Sequence, residues 1–201
     1  MLETTALVLA AGLSRRMGGV NKLLIPLGSQ PMIRICAAAY LELCDGPVTL
    51  VTGHQAGEVR AALDGLPLSF VHNPDYASGQ ASSVAVGLRA APEARATFVA
   101  LGDQPRLTAE ALRGLLAAHL GSDETRITLP WRGQARGNPL IVPQALMALL
   151  LADEQNPGCR KFTRDNPDRV NPVATDNPAF FADVDSPQDL LTLEADLEGS
   201  R

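Results

Sequence analysis

Short apolar runs alternate along the chain with stretches whose apolar residues recur at helical spacing. Residues 5–10 (TALVLA) form an unbroken apolar run, which is typical of a strand covered on both faces. Residues 31–44 carry apolar side chains at helical intervals, and Pro31 suits the first turn of the predicted helix. A second strand is predicted at 47–53 (PVTLVTG). The chain therefore opens with a strand–helix–strand unit.

The same alternation continues through the middle of the chain. We predict strands at 66–73 and 96–103, with a short helix at 58–63 before the first of them. Ser83 is predicted to cap a helix between these two strands, and Thr108 begins the next helix. This rhythm predicts parallel strands joined by right-handed crossovers.

The later elements are shorter and follow a less regular order. A helix start is indicated at Ser186, because Pro187 fits the first helical position and Asp189 places an acid at the third. The other predicted elements are strands at 126–130, 138–143, 169–174 and 180–185, and a helix at 144–152. We expect a single α/β domain over 1–201. Its three layers would hold a mostly parallel, Rossmann-like sheet with a small antiparallel C-terminal addition.

Composition and charge narrow the functional classes. The 201 residues are 46% hydrophobic and 19% charged, as in a folded globular domain. A net charge of −5 argues against a basic nucleic-acid-binding surface. No apolar run approaches the roughly 20 residues that span a bilayer, and no leader pattern is present, so we expect no membrane association and a cytoplasmic protein. The three cysteines lack metal-type spacing, and the two on the predicted helix, Cys36 and Cys44, are expected to be small buried hydrophobes.

A glycine-rich segment at 9–22 (LAAGLSRRMGGVNK) directly follows the first strand. In an open parallel sheet, ligands bind beyond the carboxyl ends of the strands. Gly12 lets the backbone approach an anion, Ser14 adds a hydroxyl, and Arg16 and Lys22 add positive charge. The segment is neither a P-loop nor the dinucleotide pattern G-x-G-x-x-G. Two interpretations stay open, a polyphosphate-binding loop and an ordinary turn whose arginines are solvated.

One carboxylate, Asp103, stands just past the predicted strand at 96–103, in the run VALGDQP. Magnesium is commonly held by one or two carboxylates, with substrate phosphates completing its shell. Asp103 is therefore a candidate ligand for Mg²⁺ beside a triphosphate. The alternative is that Asp103 only caps a turn before Pro105.

The glycine-rich segment resembles the L-A-A-G-x-S-x-R-M-G-x-x-x-K signature of MobA/MocA-like nucleotidyltransferases, which activate molybdopterin. The resemblance implies a fold of the nucleotide-diphospho-sugar transferase type and a loop that binds the nucleoside triphosphate. It assigns the phosphates to Arg16 and Lys22, and L-A-A-G rather than L-A-G-G favours CTP over GTP. The implied nucleotide contacts in this loop are Ala10, Ala11, Gly12, Ser14, Arg16 and Lys22.

Two acidic motifs extend the resemblance. D-Q-P at Asp103 resembles the family's metal-binding aspartate, and DVDSPQDL (183–190) resembles its D-I-D-T-P-E-D-L. This maps the second metal ligand to Asp185, with Asp183 in a supporting position. The alternative is that these acids only stabilise the N-terminus of a helix, where negative charge is favourable.

A polar segment, HNPDYASGQASSV (72–84), resembles the family's N-P-x-Y-x-x-G-x-x-S-S-L, which lies beside the nucleotide base. The implied base or ribose contacts are Asn73, Gly79 and Ser82. A polar turn followed by a capping serine is the alternative.

Acceptor contacts are implied at three further positions. Asn138 stands where cytidylyltransferases of this family have the histidine of R-G-H-P, Arg160 lies in NPGCRKF (156–162), and Gln104 follows the metal-binding aspartate. Because the histidine is replaced, Asn138 keeps hydrogen bonding but loses any change of charge with pH.

The resemblance implies a Mg²⁺-dependent enzyme that transfers CMP from CTP to molybdopterin and releases pyrophosphate. Arg16, Lys22 and Asp103 would be its catalytic residues, and a molybdoenzyme or its chaperone would receive the product. The alternatives are the use of GTP, a sugar or alcohol phosphate as acceptor, or a non-catalytic protein that binds a nucleotide or cofactor.

Overall fold

The fold is built around one eight-stranded mixed sheet, seen in a computed structural model that describes residues 2–152 and 158–199. The strands are β1 Leu2–Ala10, β2 Pro26–Leu27, β3 Gln30–Pro31, β4 Val48–Thr52, β5 Leu68–His72, β6 Ala94–Leu101, β7 Ile127–Arg132, β8 Ala135–Arg136, β9 Leu140–Pro143 and β10 Val170–Ala174. The sheet runs in the order β10-β7-β9-β6-β1-β4-β5, β8 pairs with β7, and β2 and β3 form a separate small ribbon.

Helices cover both faces of the sheet. They are α1 Met32–Leu43, α2 Ala56–Ala62, α3 Gln80–Ala90, α4 Ala109–Leu120, α5 Gln144–Ala152, α6 Cys159–Asp165 and α7 Pro187–Gly199. Helices α1, α2 and α4 pack on one face, against Ala6 and Val8 of β1. Helices α3 and α5 pack on the other, against Leu7 and Leu9. The predicted three-layer architecture is confirmed, since consecutive residues of one central strand are buried on opposite faces.

Strand directions bring several loops to one edge of the sheet. Strand β1 pairs in parallel with β4 and β6, and β4 with β5, as the sequence predicted. Strand β9 is antiparallel to both β6 and β7, which confirms antiparallel pairing in the C-terminal part. The segment that enters β9 therefore lies beside the carboxyl end of β6.

Two local predictions are wrong. Residues 180–185 do not form a strand, because a 3₁₀ turn at Pro178–Phe181 buries Phe180. The chain then crosses the edge of the sheet, where the Val184 N–H donates to the Asp103 carbonyl (3.0 Å). Ser83 does not cap α3, which begins three residues earlier, after Gly79. Gly79 has φ 126°, a conformation that favours glycine.

The predicted start of α7 is confirmed. The Asp189 carboxylate accepts hydrogen bonds from the backbone N–H groups of Ser186 (2.8 Å) and Asp185 (3.0 Å). The Asp189 N–H in turn donates to the Ser186 hydroxyl (3.3 Å). This reciprocal pair fixes the backbone at Asp185. Among the described residues, no helix has the length and apolar character needed to cross a bilayer.

Candidate active site

Strands β1 and β6 stay paired up to the edge of the sheet where their loops begin. The Gly102 N–H donates to the Leu9 carbonyl (3.0 Å), which continues the pairing one residue past β6, and a side chain at Gly102 has no space. A Cβ there would lie 2.6 Å from Ile33 Cδ1 and 3.0 Å from the Leu9 oxygen. Because Gly102 permits this approach, Asp103 is brought next to the glycine-rich loop.

The glycine-rich loop is closed by its own side chains. Ser14 adopts a left-handed conformation (φ 48°), and its hydroxyl accepts a hydrogen bond from the Lys22 backbone N–H (3.1 Å). The Asn21 side chain accepts from the Leu23 N–H (3.1 Å) and caps the short turn that begins at Lys22. Gly18 (φ 64°) makes the second left-handed step. The predicted Ser14 hydroxyl thus serves the loop itself, and Lys22 leaves the loop in a fixed direction.

Positive and negative side chains meet where the loop faces Asp103. The Lys22 ammonium contacts Asp103 Oδ2 and also Asp185 Oδ1, the latter at 2.7 Å. The Arg16 guanidinium binds the other oxygen of Asp185 at 2.5 Å. The side chains of Lys22 and Asp103 are only 13% and 14% exposed, whereas Arg16 is 69% exposed. We call Arg16, Lys22, Asp103 and Asp185 the ion-pair cluster; it joins four of the predicted site residues.

The pKa values of the cluster show how its charges support one another. Burial alone would lower the pKa of Lys22, but the charges of Asp103 and Asp185 and its hydrogen bonds to them outweigh burial and raise it. Burial would likewise raise the pKa of Asp185, yet contacts with Lys22 and Arg16 hold it below its ordinary value. The neighbouring Asp183 differs, since burial and the charges of Asp103 and Asp185 raise its pKa.

One carboxylate oxygen of the cluster has no hydrogen-bond partner within the described part of the chain. This oxygen, Asp103 Oδ1, is buried, whereas the other oxygen of Asp103 binds Lys22. Over residues 2–152 and 158–199, no group of three or more His, Cys, Asp or Glu side chains is arranged to hold a metal ion. The predicted ligands Asp103 and Asp185 instead share the ammonium of Lys22.

The predicted base-contacting segment is held together internally. Asn73 is 1% exposed, and its amide donates to the hydroxyls of Ser82 and Ser83, both at 2.9 Å. Its carbonyl accepts from the Asp75 N–H (3.0 Å). Asn73 therefore lies beneath the loop as a support, whereas Gly79 is exposed and Ser82 is partly exposed.

A cleft of about 810 Å³ lies between this segment and the C-terminal part of the sheet. It contains two predicted acceptor contacts, Asn138 and Arg160, together with Asp183. Asp183 also lines a smaller cleft of about 400 Å³ that contains Arg16 and Asp185. The large cleft is thus adjacent to the ion-pair cluster.

The third predicted acceptor contact, Gln104, does not face the cleft. It is 2% exposed, and its amide donates to the Phe180 carbonyl (3.3 Å). The Asn138 backbone N–H donates to the same carbonyl (2.9 Å), so Gln104 supports the segment that carries Asn138. The predicted motif at 156–162 is described only from residue 158 onward, and its first two residues lie outside the described residues.

Sequence reasoning missed several residues of the large cleft. They include Gln80, Gln134, Arg136 and Arg164. Arg136 was visible as part of R-G-N-P, and its neighbours in that motif gave the available signal. Gln80 lies in the predicted base-contacting segment at 72–84 but was not singled out there, whereas Gln134 and Arg164 are brought to the cleft by tertiary packing, which leaves no local pattern.

Comparisons with known proteins add independent information. A family model described as MobA-like NTP transferase domain matches residues 6–170. The nicotine blue oxidoreductase of Paenarthrobacter nicotinovorans is 29% identical over 195 residues, which cover 94% of this chain and 95% of that protein. The molybdenum cofactor cytidylyltransferase of Escherichia coli (strain K12) is 28% identical over 195 residues, which cover 96% of each.

Solved structures resemble the fold over nearly its whole length. A nucleotidyl transferase from Methanothermobacter thermautotroptrophicus matches with a TM-score of 0.84 and 26% identity, covering 99% of both chains. The manganese complex of Rv0371c from Mycobacterium tuberculosis H37Rv matches with a TM-score of 0.74 and 26% identity, covering 96% of this chain and 98% of that one.

Proposed function

The chain belongs to the family of MobA-like NTP transferase domains, and on this premise we propose that it transfers CMP from CTP to molybdopterin with release of pyrophosphate. The predicted enzyme class, a nucleotidyltransferase, is confirmed by this membership and by the nucleotidyltransferases among its relatives. The nucleotide, the acceptor and the metal are the proposed part.

The observation that carries the proposal is the ion-pair cluster at the glycine-rich loop. Lys22 and Arg16 supply two positive charges beside the loop backbone, where a triphosphate would add negative charge. Asp103 and Asp185 supply carboxylate oxygens that contact the Lys22 ammonium. A site of this kind suits a phosphate chain bound together with a divalent cation.

The reaction needs no covalent intermediate on the protein. An oxygen of the acceptor phosphate attacks the α-phosphorus of CTP, and the bond from that phosphorus to the bridging oxygen breaks. The CMP unit is then joined to the acceptor, and pyrophosphate leaves with the bridging oxygen. Lys22 and Arg16 would stabilise the charge that builds on the leaving pyrophosphate, because fixed cations act most strongly where the charge develops.

A divalent cation fits the donor set. Asp103 and Asp185 offer the hard oxygen ligands that Mg²⁺ prefers, and the buried, unpartnered Oδ1 of Asp103 is an acceptor that a cation would satisfy. Bound there, Mg²⁺ would supply charge neutralisation at the phosphates. Asp189, which fixes the backbone of Asp185, would orient the second ligand.

The remaining assignments extend the same proposal. The base would lie near Gly79 and Ser82, the acceptor near Asn138 and Arg160, and Ala11 favours CTP through the L-A-A-G pattern. We place the whole reaction in a single domain over 1–201, in the cytoplasm, with the product passed to a molybdoenzyme or its chaperone.

A substrate screen tests this function. CTP and GTP are each paired with molybdopterin, a sugar phosphate and an alcohol phosphate, and pyrophosphate release is measured with Mg²⁺ and with EDTA. We expect release with CTP, molybdopterin and Mg²⁺ together. Pyrophosphate release only with a sugar or alcohol phosphate would contradict molybdopterin as the acceptor. Faster turnover with GTP than with CTP would contradict CTP as the nucleotide.

A matched pair of variants tests the metal ligand. Asp103→Asn should keep the fold and lower the rate of pyrophosphate release by on the order of 100- to 1000-fold, because an essential electrostatic contact is lost. Asp64→Asn removes an exposed carboxylate far from the cluster in sequence and should leave the rate unchanged. Equal rates in the wild type and Asp103→Asn would exclude Asp103 as a ligand.

Nicotine blue oxidoreductase supplies a second candidate, since this relative matches nearly the whole chain as well as the cytidylyltransferase does. The loop here lacks the G-x-G-x-x-G pattern typical of nicotinamide-cofactor sites, which argues against a redox function that depends on such a cofactor. Oxidation of NADH or NADPH in the presence of nicotine blue, without pyrophosphate release from any nucleotide, would favour this candidate.

A further inference from the structure

The wall of the large cleft carries an excess of positive charge. Of the described residues that line it, one is acidic, Asp183, and four are basic: Arg136, Arg160, Lys161 and Arg164. Lys161 and Arg164 each form an ion pair with Asp165, both at 3.2 Å, so much of their charge is balanced locally. Arg136 and Arg160 supply the rest.

Arg136 is held in one orientation by two neutral groups. Its guanidinium carbon lies 5.2 Å from the centre of the Trp131 ring, and its Nη1 donates to the Thr163 hydroxyl (3.2 Å). Thr163 is 2% exposed and is itself fixed, because its hydroxyl donates to the Cys159 carbonyl (2.8 Å). Among the described residues, neither contact neutralises the charge of Arg136.

The backbone that carries Arg136 is fixed as well. The Gly137 N–H donates to the Pro130 carbonyl, and the Asn138 N–H to the Phe180 carbonyl, both at 2.9 Å. A Cβ at Gly137 would lie 2.7 Å from the Phe180 oxygen, so the segment is pressed against the 3₁₀ turn. A guanidinium held in this way loses little conformational freedom when it binds an anion.

We propose that Arg136 anchors a phosphate monoester group of the acceptor in this cleft. The inference rests on the proposed function and names the group by which the acceptor is held. A guanidinium has five N–H donors in a planar fork, and one of them binds Thr163, so the others can bind two phosphate oxygens. The volume of about 810 Å³ suits a small molecule, and Asp183 marks the end that adjoins the ion-pair cluster.

The chain contains its own reporter for this site, because Trp131 is its single tryptophan. Glycerol 2-phosphate is titrated into the nucleotide-free, metal-free protein at constant ionic strength, and Trp131 fluorescence is followed. Calorimetry gives the dissociation constant independently of the ring. We expect saturable binding by the wild type and binding on the order of 10- to 100-fold weaker in Arg136→Met, since a charge-assisted pair is lost.

Arg132→Met is the matched control. Arg132 ends strand β7, which pairs with the strand β8 that carries Arg136, and its guanidinium carbon lies 4.4 Å from the centre of the Phe181 ring. Arg132 does not line the cleft, so this variant should bind glycerol 2-phosphate like the wild type. Glycerate, a small hydroxylated anion that carries a carboxylate and no phosphate, should bind more weakly than glycerol 2-phosphate. The proposal is overturned if the wild type shows no saturable binding, if Arg136→Met binds as well, if Arg132→Met loses as much, or if glycerate binds equally.

Turnover separates this inference from the proposed function. With CTP and molybdopterin, Arg136→Met should raise the KM of the acceptor about 10-fold or more while the KM of CTP stays within about twofold of the wild type. An unchanged acceptor KM would overturn the anchor even if CMP transfer occurs. Absence of CMP transfer in the wild type, with phosphate binding still dependent on Arg136, would overturn the proposed function and leave the anchor standing.

Discussion

Lys22 is the residue on which the candidate site depends most. A lysine that is only 13% exposed is unfavourable unless opposite charges compensate it, and here two carboxylates do so. The sequence predicted Lys22, Asp103 and Asp185 as site residues but could not predict that they bind one another. It also could not predict that Asn73 and Gln104 are buried supports, because burial depends on distant segments such as Phe180.

Replacing Lys22 tests whether its ammonium stands where a divalent cation would bind. Lys22→Gln removes the ammonium from both carboxylates and leaves Asp185 paired only with Arg16, so we expect tighter Mn²⁺ binding to the nucleotide-free protein, measured by electron paramagnetic resonance of free Mn²⁺. Pyrophosphate release should fall by on the order of 100- to 1000-fold, because the leaving group loses its cation. Arg15→Met removes a charge from the same loop and should leave Mn²⁺ binding unchanged. Equal Mn²⁺ affinity in Lys22→Gln and the wild type would contradict the account.

His119 makes the stability of the fold depend on pH. It is fully buried, its Nδ1 lies 2.7 Å from the Thr128 hydroxyl, and its Nε2 has no partner among the described residues. Burial lowers the pKa of His119, more than Glu124 raises it, while Arg95 adds to the lowering. The unfolded chain therefore binds a proton below about pH 6.5 that the folded protein excludes, and stability falls as the pH drops through that value.

Urea denaturation between pH 7.5 and 5 measures this dependence. The free energy of unfolding of the wild type should fall more steeply with decreasing pH than that of His119→Gln, which carries no titratable ring. The two proteins share their carboxylates, so the difference between the slopes reports His119 alone. Parallel slopes would show that His119 does not titrate differently in the folded and unfolded chains.

Among the elements, the strands on both sides of β1 could be predicted because each is a short apolar run. Strands β4 and β5 lie within the predicted ranges 47–53 and 66–73, and strands β1 and β6 overlap the predicted ranges 5–10 and 96–103. The wrong strand at 180–185 shows the limit of the pattern. Alternating apolar and acidic residues suggested a strand, but Phe180 is buried by a turn and the acids point toward the ion-pair cluster. The local sequence pattern could not distinguish a strand with one buried face from a turn that buries Phe180.

The close approach of Gly102 to strand β1 is tested by a pair of glycine variants. Gly102→Ala places a methyl group 2.6 Å from Ile33 Cδ1 and 3.0 Å from the Leu9 carbonyl, so we expect destabilisation of about 1–3 kcal/mol and a loss of activity through displacement of Asp103. Gly114 lies on the exposed face of α4 with open space around it. Because alanine favours a helix more than glycine does, Gly114→Ala should stabilise the protein by about 1 kcal/mol. Thermal unfolding measures both changes. A stability of Gly102→Ala equal to that of the wild type would show that the close approach is not required.

For the whole molecule, the α/β class and the edge of the sheet at which the site lies could be predicted from the sequence, but the order of the C-terminal strands could not. Strand β9 is inserted between β6 and β7, and this pairing brings Asn138 next to the loop of Asp103. Such long-range pairing leaves no periodic signal in the chain. The large cleft depends on it, since Arg136 comes from the β7–β8 hairpin and Arg160 from α6, more than 100 residues after the glycine-rich loop.

The most direct test of the account is a crystal structure of the protein with Mg²⁺ and CTP. We predict that the triphosphate lies along the glycine-rich loop, that Lys22 and Arg16 have left the carboxylates to contact its phosphates, and that Mg²⁺ is bound by Asp103 and Asp185. A triphosphate bound elsewhere, with Lys22 still paired to Asp103 and Asp185, would contradict the central claim.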